Sequence, residues 1–145
     1  LLRRAWKEFP ETPWGQRAFL LIQRDCSTPE LGCRGPNCFQ PVIRQGEKFL
    51  RDYPDTPFRT EQIYHLALAY DTWWSLSQAG PNDPTAEGAQ VDNESGKRAR
   101  MQAIDLYEEL IRVAGGGPEA QVGQLSLPRL KLGLATGERA FFCAS

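Results

Sequence analysis

Cysteine is the residue type with the most varied chemistry in this chain of 145 residues. Cys26, Cys33 and Cys38 lie in one stretch rich in proline and glycine, and Cys143 lies near the end of the sequence. An even number of cysteines in such a loop is typical of an exported protein held by disulfides. Free buried thiols and a metal site are the alternatives. Four cysteines allow three complete pairings, and the sequence does not choose among them.

Metal or nucleophilic chemistry would have to use the only histidine, His65. Cys26, Cys33 and Cys38 are separated by six and four residues, whereas most structural zinc sites separate their cysteines by two. A Cys–His nucleophile pair would also need His65, which lies inside an apolar helical stretch without any accompanying motif. We therefore expect His65 to be a surface or partly packed helix residue. No catalytic residue, metal ligand or cofactor site is predicted.

Neighbouring carboxylates are the remaining candidates for acid–base chemistry. Glu108 and Glu109 form one such pair, and Asp52 and Asp55 form another. Charges of this kind on helix surfaces and helix ends are usually solvated. The glycine run at residues 115–117 lacks the lysine and the strand of a phosphate-binding loop, and it is better interpreted as a helix stop. The sequence thus predicts a protein that is not an enzyme.

Composition limits the class of partner. A hydrophobic content of 41% over residues 1–145 fits one domain with a real core. A net charge of −1 argues against nucleic acid or an anionic membrane surface as the main partner. No apolar run approaches the roughly 20 residues that span a bilayer, so no membrane span is expected. Because the sequence opens on Leu1 and not on methionine, we expect a mature or trimmed piece of a longer product.

Two short segments, residues 9–14 and 53–58, are near copies of each other. Both follow the order aromatic, proline, acid, threonine, proline, aromatic. The first proline cannot continue a preceding helix. Thr12 and Thr56 are good N-cap residues, and the following proline suits the first position of a new helix. Each segment therefore predicts a joint between two helices, and a third, degenerate joint lies near Pro118.

The elements between these joints are predicted to be all α-helical, with about six helices and two long loops. The first loop carries three cysteines and ends near residue 39, and the second is a mobile polar loop over Gly80–Gly96. The region up to residue 113 is repeat-like, and residues 114–145 form a degenerate cap. The predicted helices cover residues 1–8, 13–25, 40–52, 57–78 and 97–113, with a sixth from Pro118 that is interrupted at Pro128.

The helical pattern resembles the tetratricopeptide repeat, a helix–turn–helix unit of about 34 residues. The joints resemble those of its bacterial envelope branch, which includes outer-membrane assembly lipoproteins. The resemblance implies antiparallel helix pairs in a short right-handed solenoid. The residues that carry it are Ile63, Leu66, Ala67 and Tyr70 in a first-helix pattern, and Ala103, Tyr107 and Leu110 in a second-helix pattern.

The same resemblance implies a function. It indicates a protein–protein interaction or assembly scaffold that is periplasmic or outer-membrane associated and binds another protein or peptide. The alternatives are an accessory recognition domain of a larger enzyme or transport complex, and a cysteine-based metal or redox protein. In this family the groove is lined by the first helix of each pair, which here implies Arg17, Leu20, Arg24, Glu61, Tyr64, Leu68 and Asp71.

Overall fold

The computed structural model describes residues 1–24 and 35–136, and every regular element in these ranges is helical. This confirms the all-α class for the described part of the chain. Short 3-10 turns lie at Pro36–Cys38 and Pro84–Ala86. Cys26, Cys33 and Cys143 lie outside the described residues. The helices are α1 (Leu2–Glu8), α2 (Pro13–Arg24), α3 (Phe39–Asp52), α4 (Arg59–Ser77), α5 (Asn93–Ala114) and α6 (Pro118–Lys131).

Successive helices pack against each other, and α4 lies at the centre. α1 packs on α2, α3 packs on α4, and α5 packs on both α4 and α6. The four residues of the first-helix pattern in α4 belong to two adjoining apolar clusters, one shared with α5 and α6 and the other with α3: Ile63, Leu66, Ala67 and Tyr70. A third cluster joins α2 to α3 through Phe19, Leu20 and Phe49. α4 is thus covered on several sides by other helices.

An equivalent backbone hydrogen bond is present at each of the three joints. The N–H of Thr12 donates to the carbonyl of Phe9 at 3.1 Å, and the N–H of Thr56 donates to that of Tyr53 at 3.1 Å. At the third joint, residue 117 donates to residue 114 at 3.0 Å. Each bond closes a turn directly after a helix and reverses the chain. The near-identical sequences of the first two joints therefore fold alike. The glycine-rich third joint makes the same hydrogen bond with a different backbone conformation, since Gly115 has a φ of 56°.

The threonine caps differ between the first two joints. Thr12 Oγ1 accepts a hydrogen bond from the N–H of Gly15 at 3.1 Å, as a helix N-cap does. Thr56 Oγ1 accepts from the N–H of Phe58 at 3.2 Å, and α4 begins only at Arg59, two residues later than predicted. The prediction of an N-cap holds for the first joint, whereas the second threonine stabilises the turn before the helix.

A buried amide connects the two joints across 40 residues of sequence. Gln16 Nε2 donates to the carbonyl of Pro10 at 3.3 Å, inside the first joint. Gln16 Oε1 accepts from Thr56 Oγ1 at 2.6 Å, inside the second. Both groups of one side chain are therefore satisfied in a buried position, as burial of an amide requires. The bond fixes where the start of α2 lies relative to the turn before α4.

α5 begins at Asn93 and not at residue 97, so the predicted loop ends too late. Asp92 and Ser95 form a reciprocal cap, in which Asp92 Oδ1 accepts from the N–H of Ser95 at 2.7 Å. Gly96 then lies inside the helix. A Cβ at this position would lie 2.0 Å from Ser77 Oγ, so only glycine allows α5 to approach the end of α4 this closely. The sequence pattern treats this glycine as part of a loop.

The second long loop is anchored to the first. Asn37 Nδ2 donates to the carbonyl of Gly88 at 2.9 Å, and Asn37 Oδ1 accepts from the N–H of Gln90 at 2.7 Å. The 3-10 turn at Pro84–Ala86 is itself capped by Asp83. These bonds connect the backbone of the second loop to a side chain 51 residues away.

α6 continues through Pro128 to Lys131, so the predicted interruption is wrong. The proline lies near the C-terminal end of the helix, where it disturbs few of the backbone bonds. Arg100 of α5 satisfies the carbonyls that the end of a helix leaves without partners. Its Nε donates to the carbonyl of Leu130 at 2.6 Å, and its Nη2 donates to that of Lys131 at 3.0 Å.

We expect Gly15→Ala to destabilise the protein by about 1–3 kcal/mol, the usual cost of overpacking a tight contact. A Cβ at Gly15 would lie 1.9 Å from the carbonyl oxygen of Phe9, so α1 and α2 must separate. The measurement is urea unfolding followed by circular dichroism. Gly116→Ala is the matched control, because its Cβ would meet no atom within 4 Å. Equal effects of the two substitutions would contradict the prediction.

Candidate partner-binding site

The seven predicted groove residues fall into two regions and the core. Glu61 on α4 is brought to both arginines of α2, at 2.6 Å from Arg17 and 3.9 Å from Arg24. These three charged side chains are partly or fully exposed at the contact between α2 and α4, and two arginines with one glutamate leave one positive charge there. Leu20, by contrast, is fully buried and belongs to the core between α2 and α3.

Tyr64, Leu68 and Asp71 line a cleft of about 510 Å³ between α4 and α6. Its walls combine three aliphatic side chains with several hydroxyl groups. Leu125 of α6 stands out because 80% of its surface is exposed, which is unusual for a leucine in a packed helix. The other lining residues are Thr72, Tyr107, Val122, Ser126, Arg129 and Thr136.

A charged centre built by three helices lies at this cleft. Asp71 of α4 is only 4% exposed, and its Oδ2 forms an ion pair with Nη2 of Arg129 from α6. The hydroxyl of Tyr107 from α5 donates to the same oxygen at 3.3 Å. Burial, with the negative charge of Asp71 as a second cause, raises the pKa of Tyr107, so its hydroxyl stays protonated at neutral pH.

The second oxygen of this carboxylate is unsatisfied. Asp71 Oδ1 is buried from solvent and has no hydrogen-bond partner. Buried polar atoms nearly always have a partner, and an unsatisfied acceptor costs about 1–3 kcal/mol. The only other unsatisfied buried side-chain atoms among residues 1–24 and 35–136 belong to Gln62, at the contact of α4 with α3. Among the described residues, Asp71 is therefore the acid that has an oxygen without a hydrogen-bond partner and that also lines this cleft.

His65 is buried, contrary to the prediction of a surface or partly packed residue. It is 3% exposed, and its Nδ1 lies 3.2 Å from Gln23 Oε1, to which it donates. The physical reason is that α2 and α3 both cover this side of α4, and Gln23 in turn donates to the carbonyl of Val42 at 3.3 Å. Burial, then the charges of Arg24 and Arg17, lower the pKa of His65 from 6.5 to about 4.

The predicted carboxylate pairs lie on the surface. Asp52 pairs with Lys48, Glu108 with Lys131 at 3.2 Å, and Glu109 with Arg59 at 3.6 Å. Within the described ranges, no group of three or more histidine, cysteine, aspartate and glutamate residues could hold a metal ion. No helix of the described residues is long and apolar enough to cross a membrane.

Cys38 is the cysteine that falls within the described ranges. It is fully buried at the start of α3 and is disulfide-bonded. Its partner is not among the described residues, so the expectation that disulfides hold the four cysteines stays a prediction for the other three. The disulfide adds a covalent link next to Asn37, the residue that holds the second long loop.

Sequence reasoning missed the α6 side of the cleft, although the signal was present. The offset of 61 residues that aligns Pro57 with Pro118 places three residues of α6 at groove positions. Val122, Leu125 and Arg129 correspond to Glu61, Tyr64 and Leu68, and all three line the cleft. The prediction of a degenerate cap over residues 114–145 places no groove residue on α6.

We expect acid to weaken the fold through His65. Because its pKa is lower in the folded protein than in the unfolded chain, the unfolded chain binds the proton more readily between pH 6.5 and 4. The stability is full above pH 6.5 and falls by about 3 kcal/mol as the pH approaches 4. Urea unfolding at pH 7.5, 6, 5 and 4 measures it.

The control is His65→Gln, which keeps a polar group beside Gln23 but does not titrate. Carboxylates also titrate in acid, so the informative quantity is the difference between the pH profiles of the two proteins. That difference should shrink as the pH falls from 6.5 to 4, because only the histidine form loses stability through this site. Parallel profiles would refute a buried neutral His65.

Comparisons with known proteins do not assign this site. No protein-family model, no curated protein and no solved structure matches the chain. The function is therefore inferred from the side chains and from the geometry that brings them together.

Proposed function

We propose that this chain is a non-catalytic binding module that holds a peptide segment of another protein in the cleft between α4 and α6. One observation carries the proposal. Three helices converge on Asp71, a buried acid with an unused acceptor, at a cleft whose rim carries the exposed Leu125. Apolar contact area beside a few fixed polar groups is the usual composition of a recognition site.

The titratable groups favour holding a ligand over transferring protons. Asp71 is engaged by Arg129 and by the hydroxyl of Tyr107. The raised pKa of Tyr107 makes it a hydrogen-bond donor and not a base at neutral pH. His65 is neutral at pH 7, and it is not among the residues that line the cleft. A binding role needs only the fixed donors and acceptors that remain.

We also propose that the helices form tetratricopeptide-like pairs in a short solenoid. In this arrangement α2 pairs with α3 and α4 pairs with α5, with α1 and α6 at the two ends. The support is the hydrogen bond common to all three joints and the matching positions of α2, α4 and α6 after each joint. Such pairs stack so that every first helix faces one groove, where α4 and α6 lie beside each other.

A location in the bacterial cell envelope, outside the cytoplasm, is part of the proposal. The resemblance of the joints to the envelope branch of the repeat family and the disulfide at Cys38 support it, because disulfides persist mainly in oxidising compartments. If all four cysteines are paired, reduction of the purified protein will raise its intact mass by about four daltons, two hydrogens for each disulfide. An unchanged mass, or bound zinc, would contradict this part of the proposal.

Panning a random dodecapeptide library on phage against the chain tests the binding function. We expect selected peptides to bind with micromolar dissociation constants in fluorescence anisotropy. Leu125→Arg should weaken them about tenfold or more, because the longer charged side chain fills the cleft.

Met101→Arg is the matched control, because Met101 is also an exposed apolar residue of a helix, at 52%, and does not line the cleft. We expect it to leave the affinity of the selected peptides unchanged. The proposal would fail if no peptide were selected. Equal loss of affinity in the two variants would place the binding outside the cleft.

A further inference from the structure

We propose that the cleft selects an uncharged, extended peptide segment that donates an amide N–H to Asp71 Oδ1 and places an aliphatic side chain beside it. The inference rests on the proposed function and narrows it to one class of ligand. It excludes lysine and arginine side chains as the groups that meet Asp71. The acceptor, the charge balance and the walls of the cleft each support it.

The unsatisfied oxygen of Asp71 indicates that the ligand is a hydrogen-bond donor. Arg129 and Tyr107 both bind Oδ2 of Asp71, which leaves Oδ1 without any partner in a side chain that is 96% buried. A bound donor would remove the cost of this unsatisfied oxygen, and the gain would appear as binding affinity. The site is therefore complete only when a ligand supplies an N–H or O–H group.

The charge balance selects the kind of donor. Asp71 is already neutralised by Arg129, and neither Glu61 nor any other acid is among the cleft residues. A lysine or arginine from a ligand would bring a third, uncompensated charge into a buried place, which costs more than it returns. A backbone or side-chain amide donates without adding charge. An uncharged donor is thus favoured over a cation, although the acceptor is a carboxylate.

The aliphatic walls of the cleft indicate which kind of side chain the ligand carries next to its N–H donor. Leu68, Val122 and Leu125 supply aliphatic surface within the same cleft as Asp71. In an extended peptide, a side chain and the neighbouring backbone N–H can meet two adjacent surfaces at once. Because Oδ1 makes no contact with solvent, the donor reaches it only after a lining side chain moves.

The test uses three small probes on the full chain, followed by nuclear magnetic resonance of the Leu125 and Ser126 amides and the Arg129 guanidinium. N-acetyl-leucine N′-methylamide is uncharged and carries two N–H donors and one isobutyl group. Its analogue with both nitrogens methylated has no donor. Isopentylammonium chloride has a similar alkyl group and a positive charge. We expect the donor probe to bind about tenfold more tightly than either of the others.

Asp71→Asn gives a second, independent comparison. In this variant the side-chain oxygen of asparagine faces Arg129, because arginine is only a donor. The NH₂ group then occupies the position of Oδ1, so that two donors, this NH₂ group and the N–H of the probe, face each other. The variant should therefore bind the donor probe and its methylated analogue equally weakly. If circular dichroism shows that Asp71→Asn fails to fold, the comparison of the three probes on the unaltered chain still tests the inference.

The results of the probe experiment and of the panning experiment test two different claims. Equal binding of the donor probe and the methylated analogue, tighter binding of the ammonium probe, or no binding of any probe at these residues would overturn the inference. Peptides selected by panning that still lose affinity in Leu125→Arg would then leave the proposed function standing. Failure of panning itself removes the proposed function. The two claims therefore fail by different measurements.

Discussion

Burial of α4 on several sides is the constraint on which the rest of the structure depends. A helix in this position places polar side chains inside the protein, and three of them find partners that tie α4 to another element. His65 meets Gln23 of α2, Asp71 meets Arg129 of α6, and Ser75 Oγ accepts from the N–H of Thr136 at 3.0 Å beyond α6. The polar residues of α4 thus specify which neighbours it has, while its apolar residues supply most of the burial.

The order of the helices could be predicted from the sequence, because its signals are local. Proline and threonine at the joints, and the apolar stripe of α4, act within a few residues of where they stand, and both recur in the structure. The start of α5 and the course of α6 through Pro128 could not be predicted in the same way. Gly96 lies inside α5 at a place where Ser77 of α4 leaves no room for a Cβ, and the end of α6 is held by Arg100 from another helix.

The candidate site shows the same contrast between local sequence signals and contacts made by distant elements. The resemblance to the repeat family implies Tyr64 and Leu68 as groove residues, and an offset of 61 residues from these two reaches Leu125 and Arg129. The burial of Asp71 was not predictable, because a lone acid on a helix is usually solvated and only its two partners from α5 and α6 keep it inside. Sequence position therefore indicated the wall of the cleft, whereas its electrostatic centre arises from packing.

The side chain of Asn37 takes the place of a residue in a strand, since it donates to Gly88 and accepts from Gln90 as a backbone amide would. Two segments that interrupt the helices at distant points of the chain are thereby joined at one end of the bundle. Lengthening or shortening either segment would shift its contact point relative to the other. For anyone inserting a reporter, the turn at Pro36–Cys38 and the backbone at Gly88 and Gln90 are one connected site, so an insertion beside either is expected to disturb both.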